Sequence, residues 1–198
     1  PPGGDLSEPV AQNTLRVVKV FWGLDSALAY RRHFPAINWL LSYSLYNERL
    51  DEYFRLEIGE EWVNQRRRAM RILQKEAELE EIVRLVGIDA LSPRDQLTME
   101  VARSIREDYL HQNAFHEIDT YTSLEKQAAL LRIVLSFEDV AVALLEKGME
   151  IKKILDLPIR ERIAQAKFIP EDQMVKFTML QADLEKLTTE LEPTGEVL

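Results

Sequence analysis

Residues 59–95 read GEEWVNQRRRAMRILQKEAELEEIVRLVGIDALSPRD, and this stretch decides the fold. Gly59 and Gly87 bracket a run in which apolar residues recur close to the roughly 3.6-residue period of an α-helix. Gly87 suits the left-handed backbone that commonly ends a helix. The run therefore predicts one long amphipathic helix, with a buried stripe formed by Ala69, Ile72, Leu73, Leu79, Val83 and Val86.

A second helix is predicted directly after this one. Ser92 is placed as an N-cap, Pro93 as a first-turn proline and Asp95 as the acid of a capping box. Because only a few residues join the two helices, we expect them to pack antiparallel as a helical hairpin. The apolar residues predicted to be buried in the second helix are Leu97, Val101, Ile105 and Tyr109.

The rest of the chain also has helical patterns. Residues 122–125 (Thr-Ser-Leu-Glu) read as a capping box for a third helix. Pro158 and Pro170 begin two further helices, and residues 192–196 are expected to be disordered. Residues 46–198 are therefore predicted to form an all-helical domain. The buried stripe predicted for the third helix consists of Leu124, Ala128, Leu131, Leu135, Val142 and Leu145.

Residues 1–45 differ from the rest, because they contain four of the eight prolines and two of the three tryptophans. The β-branched residues between Leu15 and Trp22 predict a buried strand, and Asp25 is placed as the N-cap of a short helix through Tyr30. One strand followed by a helix cannot form a sheet, because both strand edges would be unpaired. We therefore expect either the remnant of a larger α/β domain or a segment that pairs with something outside the chain.

The bulk composition excludes several classes of protein. At 198 residues, with 46% apolar and 30% charged residues, the chain is typical of a globular protein with a sizeable core. No apolar run approaches the roughly 18 residues that cross a bilayer. The absence of cysteine excludes disulfides and thiolate metal sites. The formal charge of −9 disfavours binding to nucleic acid.

Two polar clusters are interpreted as structural. One is a basic cluster with no interleaved aromatic or glycine residue, which indicates a solvated helix face balanced by nearby glutamates; it consists of Arg66, Arg67, Arg68 and Arg71. The other has no common zinc spacing, so we expect a loop role and no metal site; it consists of His111, His116, Glu117 and Asp119.

A family resemblance is carried by strings spread over most of the chain. They are GDLSEPV at 4–10, KVFWGLD at 19–25, RHFPAIN at 32–38, ILQKEAEL at 72–79 and REDYLHQNAFHEID at 106–119. The chain resembles the C-terminal part of the catalytic A subunit of vacuolar-type and archaeal-type rotary ATPases. The resemblance implies a mainly α fold, in which a helical bundle follows a partial α/β remnant of a RecA-like nucleotide-binding domain.

The resemblance also implies a role for three aromatic residues. Taken separately, Phe34, Tyr109 and Phe115 are ordinary core or loop aromatics. In the family, the matching aromatics clasp the adenine ring of the nucleotide. Each stacked ring contributes roughly 1–3 kcal/mol to binding. We therefore expect Phe34, Tyr109 and Phe115 to bind adenine.

The reactive half of an ATP site is missing from these 198 residues. No Gly-x-x-x-x-Gly-Lys-Ser/Thr motif occurs, and Glu8 reads as a solvated loop carboxylate before a proline. We therefore expect no catalytic residue here and no ATP hydrolysis by the piece alone. ATP or ADP with magnesium is expected in the full-length subunit. Stacking alone barely offsets an association cost of roughly 4 kcal/mol, so the piece should bind nucleotide at about millimolar affinity or more weakly.

The turn between the two predicted hairpin helices is the second candidate site. The resemblance implies that this tip contacts the central stalk, through Asp89, Leu91, Ser92 and Arg94. Arg94 dilutes the acidity of the tip, which argues against a purely electrostatic push on a basic shaft. A plain surface turn is the alternative. The predicted helix from Pro93 to Tyr109 would join this tip directly to the adenine side.

The resemblance further implies partners and a location. The partners would be non-catalytic B subunits in an alternating hexamer and the central stalk subunits, with no nucleic acid. Contact with the membrane would be indirect, through the assembled complex, and the location cytoplasmic. The transported ion and the direction, synthesis or hydrolysis, stay open.

Two rival interpretations remain. One is a standalone helical interaction module that binds no nucleotide. The other is the non-catalytic B subunit or a distant helicase-like hexamer, against which stand the catalytic-type strings at 34–38 and 109–115.

Overall fold

The structure, a computed structural model, describes residues 5–190, so the tail predicted to be disordered lies outside the described residues. The first elements are α1 (Pro9–Val17), β1 (Val20–Leu24), α2 (Ser26–Tyr30) and β2 (Ile37–Ser44). Then follow α3 (Asn47–Glu57), α4 (Glu61–Val86), α5 (Pro93–Ser104) and a π-helical segment (Ile105–Leu110). The last are α6 (Leu124–Glu146), α7 (Ile151–Leu155), α8 (Ile159–Gln165) and α9 (Val175–Glu190).

The mainly α fold with a small α/β part is confirmed. The sheet has two antiparallel strands, β1 and β2, which pair Val20 with Ser44 and Leu24 with Ile37. The register shifts between Phe21 and Gly23. Within residues 5–190, no helix is long and apolar enough to cross a membrane.

The prediction of a buried strand from Leu15 to Trp22 is wrong in its start and in its burial, and it missed the partner strand β2 within the chain. Pro9 begins α1, and this helix extends to Val17, because a proline at the first turn favours a helix start. The strand begins only at Val20, and Trp22 is 70% exposed. The strand is also paired, since β2 lies beside it. The short β-branched run resembles a strand locally, and only the pairing with β2 decides where the strand lies.

The glycine in β1 is required by the close approach of β2. A Cβ atom built on Gly23 would lie 3.2 Å from the Cβ atom of Leu41, which is tighter than ordinary packing allows. The Gly23 N–H donates to Ser42 Oγ at 3.0 Å, and this bond lies where the register shifts. The two strands are thus held together by a side chain where regular pairing is interrupted.

The predicted helical hairpin is confirmed. Helix α4 ends at Gly87, whose φ of +86° only glycine adopts readily, and α5 packs against α4. Arg106 pairs with Glu76 at 2.8 Å, so the chain runs back along α4 after the turn. The stripe is buried at Ala69, Ile72, Leu73 and Leu79. It is wrong at Val86, which is 61% exposed, because the last turns of α4 have little packed against them.

Helix α6 is the centre of the helical part. The single stripe predicted for it is wrong at Leu124, which is 36% exposed. Elsewhere it is too narrow, because the helix is buried around most of its circumference, as expected for a helix with apolar residues on all sides. Helices α4, α5 and α9 pack against it. Its buried apolar residues are Ala128, Leu130, Leu131, Ile133, Val134, Leu135, Phe137, Val140, Ala141 and Leu144.

The two predicted capping boxes have different outcomes. In the first, the N-cap is confirmed, since Ser92 Oγ accepts the Asp95 N–H at 3.1 Å, but the Asp95 carboxylate accepts the Ser92 hydroxyl at 2.6 Å and not the Ser92 N–H that a capping box uses. In the second, Ser123 is the N-cap, so the third helical position is Lys126 and no acid follows at the required spacing. The carboxylate comes instead from Glu171, which accepts from the Ser123 N–H and hydroxyl at 3.0 and 2.6 Å.

The basic cluster on α4 is not simply a solvated face. Arg66 and Arg67 each donate to the buried carboxylate of Asp51 on α3, at 2.9 Å. Arg68 pairs with Glu138 of α6 at 2.6 Å. Arg66 and Arg67 therefore join α4 to α3, and the next residue, Arg68, joins it to α6. The sequence alone favoured neighbouring glutamates as partners, because helix spacing shows no contact between distant segments.

Candidate functional site

Phe34 lies in the segment between α2 and β2. Its side chain is 50% exposed, and its carbonyl accepts the Gln112 N–H at 2.7 Å. The neighbouring His33 donates through Nε2 to the Arg106 carbonyl at 2.9 Å. These two hydrogen bonds hold the segment that carries Phe34 against the π-helical segment and the residue two positions after its end. Both are remote from Phe34 in sequence.

Tyr109 occupies the π-helical segment itself. Its ring is half-buried and packs against the helical core, and burial raises the pKa of its phenol. Tyr109 also lines a cavity of about 230 Å³, together with Pro35, Gln112, Asp119 and Lys167. Tyr109 thus lies between the helical core and the segment that carries Phe34.

Phe115 lies in the loop that joins the π-helical segment to α6, and it is 99% exposed. The loop is shaped by Asp119, a buried carboxylate that accepts the Asn113 N–H at 2.6 Å. His116 Nδ1 accepts the N–H groups of Ile118 and Asp119, at 3.2 and 3.3 Å. His116 and Asp119 therefore shape the loop that presents Phe115, as the predicted loop role requires.

The structure brings part of the predicted adenine site together. The Phe34 backbone is bonded to Gln112, which follows Tyr109 by three residues and precedes Phe115 by three. The two phenylalanines expose their rings, whereas Tyr109 is held by the core. Flat exposed rings beside a cavity wall can stack against a planar apolar ligand.

Burial and neighbouring charge set the protonation of the histidines and acids nearby. Burial lowers the pKa of His111, and the neighbouring His33, whose ring centroid is 4.8 Å away, and Lys167 lower it further. Burial raises the pKa of Glu76 despite its pairing with Arg106. The lowered pKa keeps the His111 imidazole neutral at pH 7, and the Glu76 carboxylate has Arg106 as its ion-pair partner.

Sequence reasoning missed a buried lysine next to the Phe115 loop. Lys126 is fully buried, and among residues 5–190 its Nζ has no hydrogen-bond partner. Burial lowers the pKa of its amine, while the carboxylates of Glu171 and Asp119 oppose that change. The sequence signal that could have revealed it was a lysine among the apolar residues of α6.

The predicted stalk-contact turn contains a short 3-10 helix at Ile88–Ala90. Asp89, Ser92 and Arg94 are exposed. Leu91 is buried, at 8% exposure, so its side chain does not belong to the exposed surface. The apolar surface of the tip, which sequence reasoning missed, is provided instead by Leu85, Val86 and Ile88.

A helical bundle that follows a small α/β part is also found in known proteins. Residues 51–155 match a family described as the C-terminal domain of V and A type ATP synthase. Residues 1–44 match the ATP synthase alpha/beta family, nucleotide-binding domain. The chain belongs to the V- and A-type ATP synthase family, and its resemblance to the catalytic A subunit, or alpha chain, is confirmed.

Several V-type ATP synthase alpha chains are similar to this chain. That of Acetivibrio thermocellus is 64% identical over 174 residues, which is 88% of this chain and 30% of the relative. That of Clostridium novyi is 61% identical over 187 residues, or 94% of this chain and 32% of the relative. That of Clostridium botulinum strain Langeland is 57% identical over all 198 residues and 34% of the relative. The chain spans about a third of the length of the curated relatives it matches.

A solved structure shares the fold. It is described as a unique ATP synthase subunit NeqB from Nanoarcheaum equitans, with a TM-score of 0.58 and 21% sequence identity. The match covers 70% of this chain and 32% of that chain. At this identity the likeness shows the fold alone.

Proposed function

We propose that this chain is the part of a rotary ATPase catalytic subunit that supplies the adenine side of the nucleotide site and couples that site to the central stalk. In the full-length subunit the ligand is ATP or ADP with magnesium, and the machine moves protons or sodium ions. The partners are non-catalytic B subunits in a hexamer and the stalk subunits, and the location is the cytoplasmic face of a membrane. Residues 1–45 complete the nucleotide domain, and residues 46–198 form the coupling domain.

One observation carries the proposal. Phe34 and Phe115 are exposed rings, and the segments that carry them meet at Gln112. Gln112 follows the end of the helical rod, which consists of α5 and the π-helical segment and starts at the hairpin tip. Covering an exposed phenylalanine ring with a planar ligand removes apolar surface from water, which favours binding. A planar purine ring fits this surface, and the rod connects it to the second exposed surface.

The reactive groups for phosphoryl transfer lie elsewhere in this proposal. A phosphate-binding loop with its lysine and hydroxyl, and a residue that orients the attacking water, are needed for hydrolysis. No such motif occurs in the sequence. Phe34, Tyr109 and Phe115 therefore act on affinity for the nucleotide base, and the chain by itself does not hydrolyse ATP.

The test is the Michaelis constant for ATP in the assembled complex. Phe34→Ala and Phe115→Ala should each raise KM by between about five-fold and a hundred-fold, because one stacked ring contributes roughly 1–3 kcal/mol. Phe34→Tyr, which keeps a flat ring, should stay within about three-fold of the unchanged enzyme. Tyr53→Ala is a matched control, because Tyr53 on α3 is 49% exposed. Unchanged KM in both alanine variants would refute the adenine assignment.

A further inference from the structure

Arg106 makes hydrogen bonds both through its backbone carbonyl and through its side chain. Its carbonyl lies in the π-helical segment, where it accepts the His111 N–H at 2.9 Å and the His33 Nε2–H at 2.9 Å. A π-turn bonds residues five apart, and the carbonyl oxygen has a second lone pair that accepts from His33. The carbonyl therefore holds the segment that carries Phe34.

The side chain of Arg106 points to the other helix of the hairpin. Its Nε donates to the Glu76 carboxylate at 3.1 Å and its Nη2 at 2.8 Å, so the pair is bidentate. Glu76 is buried, at 5% exposure, in the middle of α4. A planar guanidinium that grips a buried carboxylate with two bonds has one defined orientation. Glu76 therefore fixes the position of the Arg106 backbone.

We propose that Arg106 joins the adenine side to the hairpin, with Glu76 and His33 as positioning residues for Phe34. The bonded path runs from Glu76 through Arg106 to His33, whose neighbour is Phe34. A change in the angle or register of α4, set at the tip, shifts the Arg106 carbonyl and with it the Phe34 segment. The inference rests on the proposed function, and it adds which residues transmit between the two surfaces.

The path predicts an effect on nucleotide affinity from a residue that does not touch nucleotide. In the assembled full-length complex, Glu76→Gln should raise KM for ATP roughly two- to thirty-fold with little change in kcat, since it weakens only the position of Phe34. His33→Ala should do the same, and His33→Gln, which keeps a side-chain N–H donor, should recover most of the loss. The double variant Glu76→Gln with His33→Ala should be no worse than the larger single effect, because both act through Arg106.

A matched control separates this role from ordinary stability. Glu138→Gln removes the glutamate of another part-buried arginine pair on α4, Arg68 with Glu138 at 2.6 Å, which has no bond to the Phe34 segment. Because Asp139 still pairs with Arg68 at 2.6 Å, this change should lower the unfolding temperature no more than Glu76→Gln does, and it should leave KM unchanged. Equal KM effects in the two variants, or additive effects of Glu76→Gln and His33→Ala, overturn the proposal. Should Glu76→Gln fail to assemble, equal KM for His33→Ala and His33→Gln overturns it.

Phe34→Ala in the same series distinguishes the two levels of inference. A raised KM for Phe34→Ala together with an unchanged KM for Glu76→Gln removes the Arg106 connection and leaves the adenine site standing. An unchanged KM for both variants contradicts the Arg106 connection. The unchanged KM of Phe34→Ala then also contradicts the adenine contact. A raised KM for both, with Glu138→Gln unchanged, supports the connection.

Discussion

Lys126 shows how one residue opposes stability next to the loop that carries Phe115. Its amine is fully buried without a hydrogen-bond partner among residues 5–190, and burial lowers its pKa below the usual 10.5. The opposing carboxylates, Glu171 and Asp119, each hold one part of the Phe115 loop by accepting backbone N–H groups. A buried polar group without a partner is unfavourable by roughly 1–3 kcal/mol.

Replacing this lysine should therefore stabilise the protein. Lys126→Met has a similar volume and no charge, so at pH 7 we expect the free energy of unfolding to rise by about 1 kcal/mol, measured by urea denaturation. The unfolded chain keeps the lysine proton up to about pH 10.5, whereas the folded protein releases it at lower pH. The unchanged protein thus gains stability as pH rises towards that value, and the difference from Lys126→Met shrinks.

An exposed lysine provides the control for this change. Lys176 on α9 is exposed, so Lys176→Met should alter the unfolding free energy by less than about 0.5 kcal/mol. A loss of stability in Lys126→Met at pH 7 would show that attraction to Glu171 and Asp119 outweighs the burial of the amine.

At the scale of elements, the hairpin depends on a cap where the chain reverses. Ser92 satisfies the Asp95 N–H at the start of α5, and its hydroxyl donates to the Asp95 carboxylate. Pro93 has no N–H to satisfy, which suits the first helical position. The start of the rod is thus fixed locally, before any tertiary contact.

We expect Ser92→Ala to lower the free energy of unfolding by about 1 kcal/mol, because the Asp95 N–H loses its acceptor. Ser92→Thr keeps a hydroxyl acceptor and should recover most of that loss. Thermal unfolding followed by circular dichroism measures both variants. Identical stability of the alanine and threonine variants would mean that solvent replaces the serine hydroxyl without loss.

At the scale of the whole molecule, two exposed surfaces lie at opposite ends of one rod. Helix α5 and the π-helical segment run without a break from Pro93 to Leu110, about 25 Å at 1.5 Å per residue. The tip at one end exposes Leu85, Val86 and Ile88, and the loop that follows the other end exposes Phe115. A continuous rod transmits displacement because its backbone bonds leave it little freedom to bend.

Changes at the tip should therefore uncouple the machine and spare nucleotide affinity. In the assembled complex, deletion of residues 88–94 or serine substitutions at Leu85, Val86 and Ile88 should reduce torque and ion transport per ATP hydrolysed. For the serine substitutions, KM for ATP should stay within about two-fold, because they remove only exposed side chains and leave the bonds of Arg106 to Glu76 and His33 in place. Leu56→Ser on α3 is the matched control, since Leu56 is 80% exposed. Intact torque after deletion of the turn would contradict a stalk contact.

The candidate site was predictable only in part from the sequence. Phe34, Tyr109 and Phe115 stand out through family resemblance, since their local patterns alone indicate core or loop aromatics. The connection of His33 to Arg106 spans 73 positions, and that of Ser123 to Glu171 spans 48. No local pattern shows such a pair, because a donor and an acceptor in distant segments leave no spacing to read.

The hairpin and the starts of α2 and α5 follow from the sequence alone, whereas the start of α1 at Pro9 was missed. Periodic apolar residues, the positive φ of Gly87 and the Ser92 cap act within a few residues, so they are encoded where they occur. The tertiary structure alone decided the pairing of β1 with β2, the exposure of Val86 and the burial of Lys126. Those features depend on which distant segment packs against each residue. Packing forms only when the chain folds, which is why the periodicity that placed the helices correctly could not say which of their turns would stay exposed.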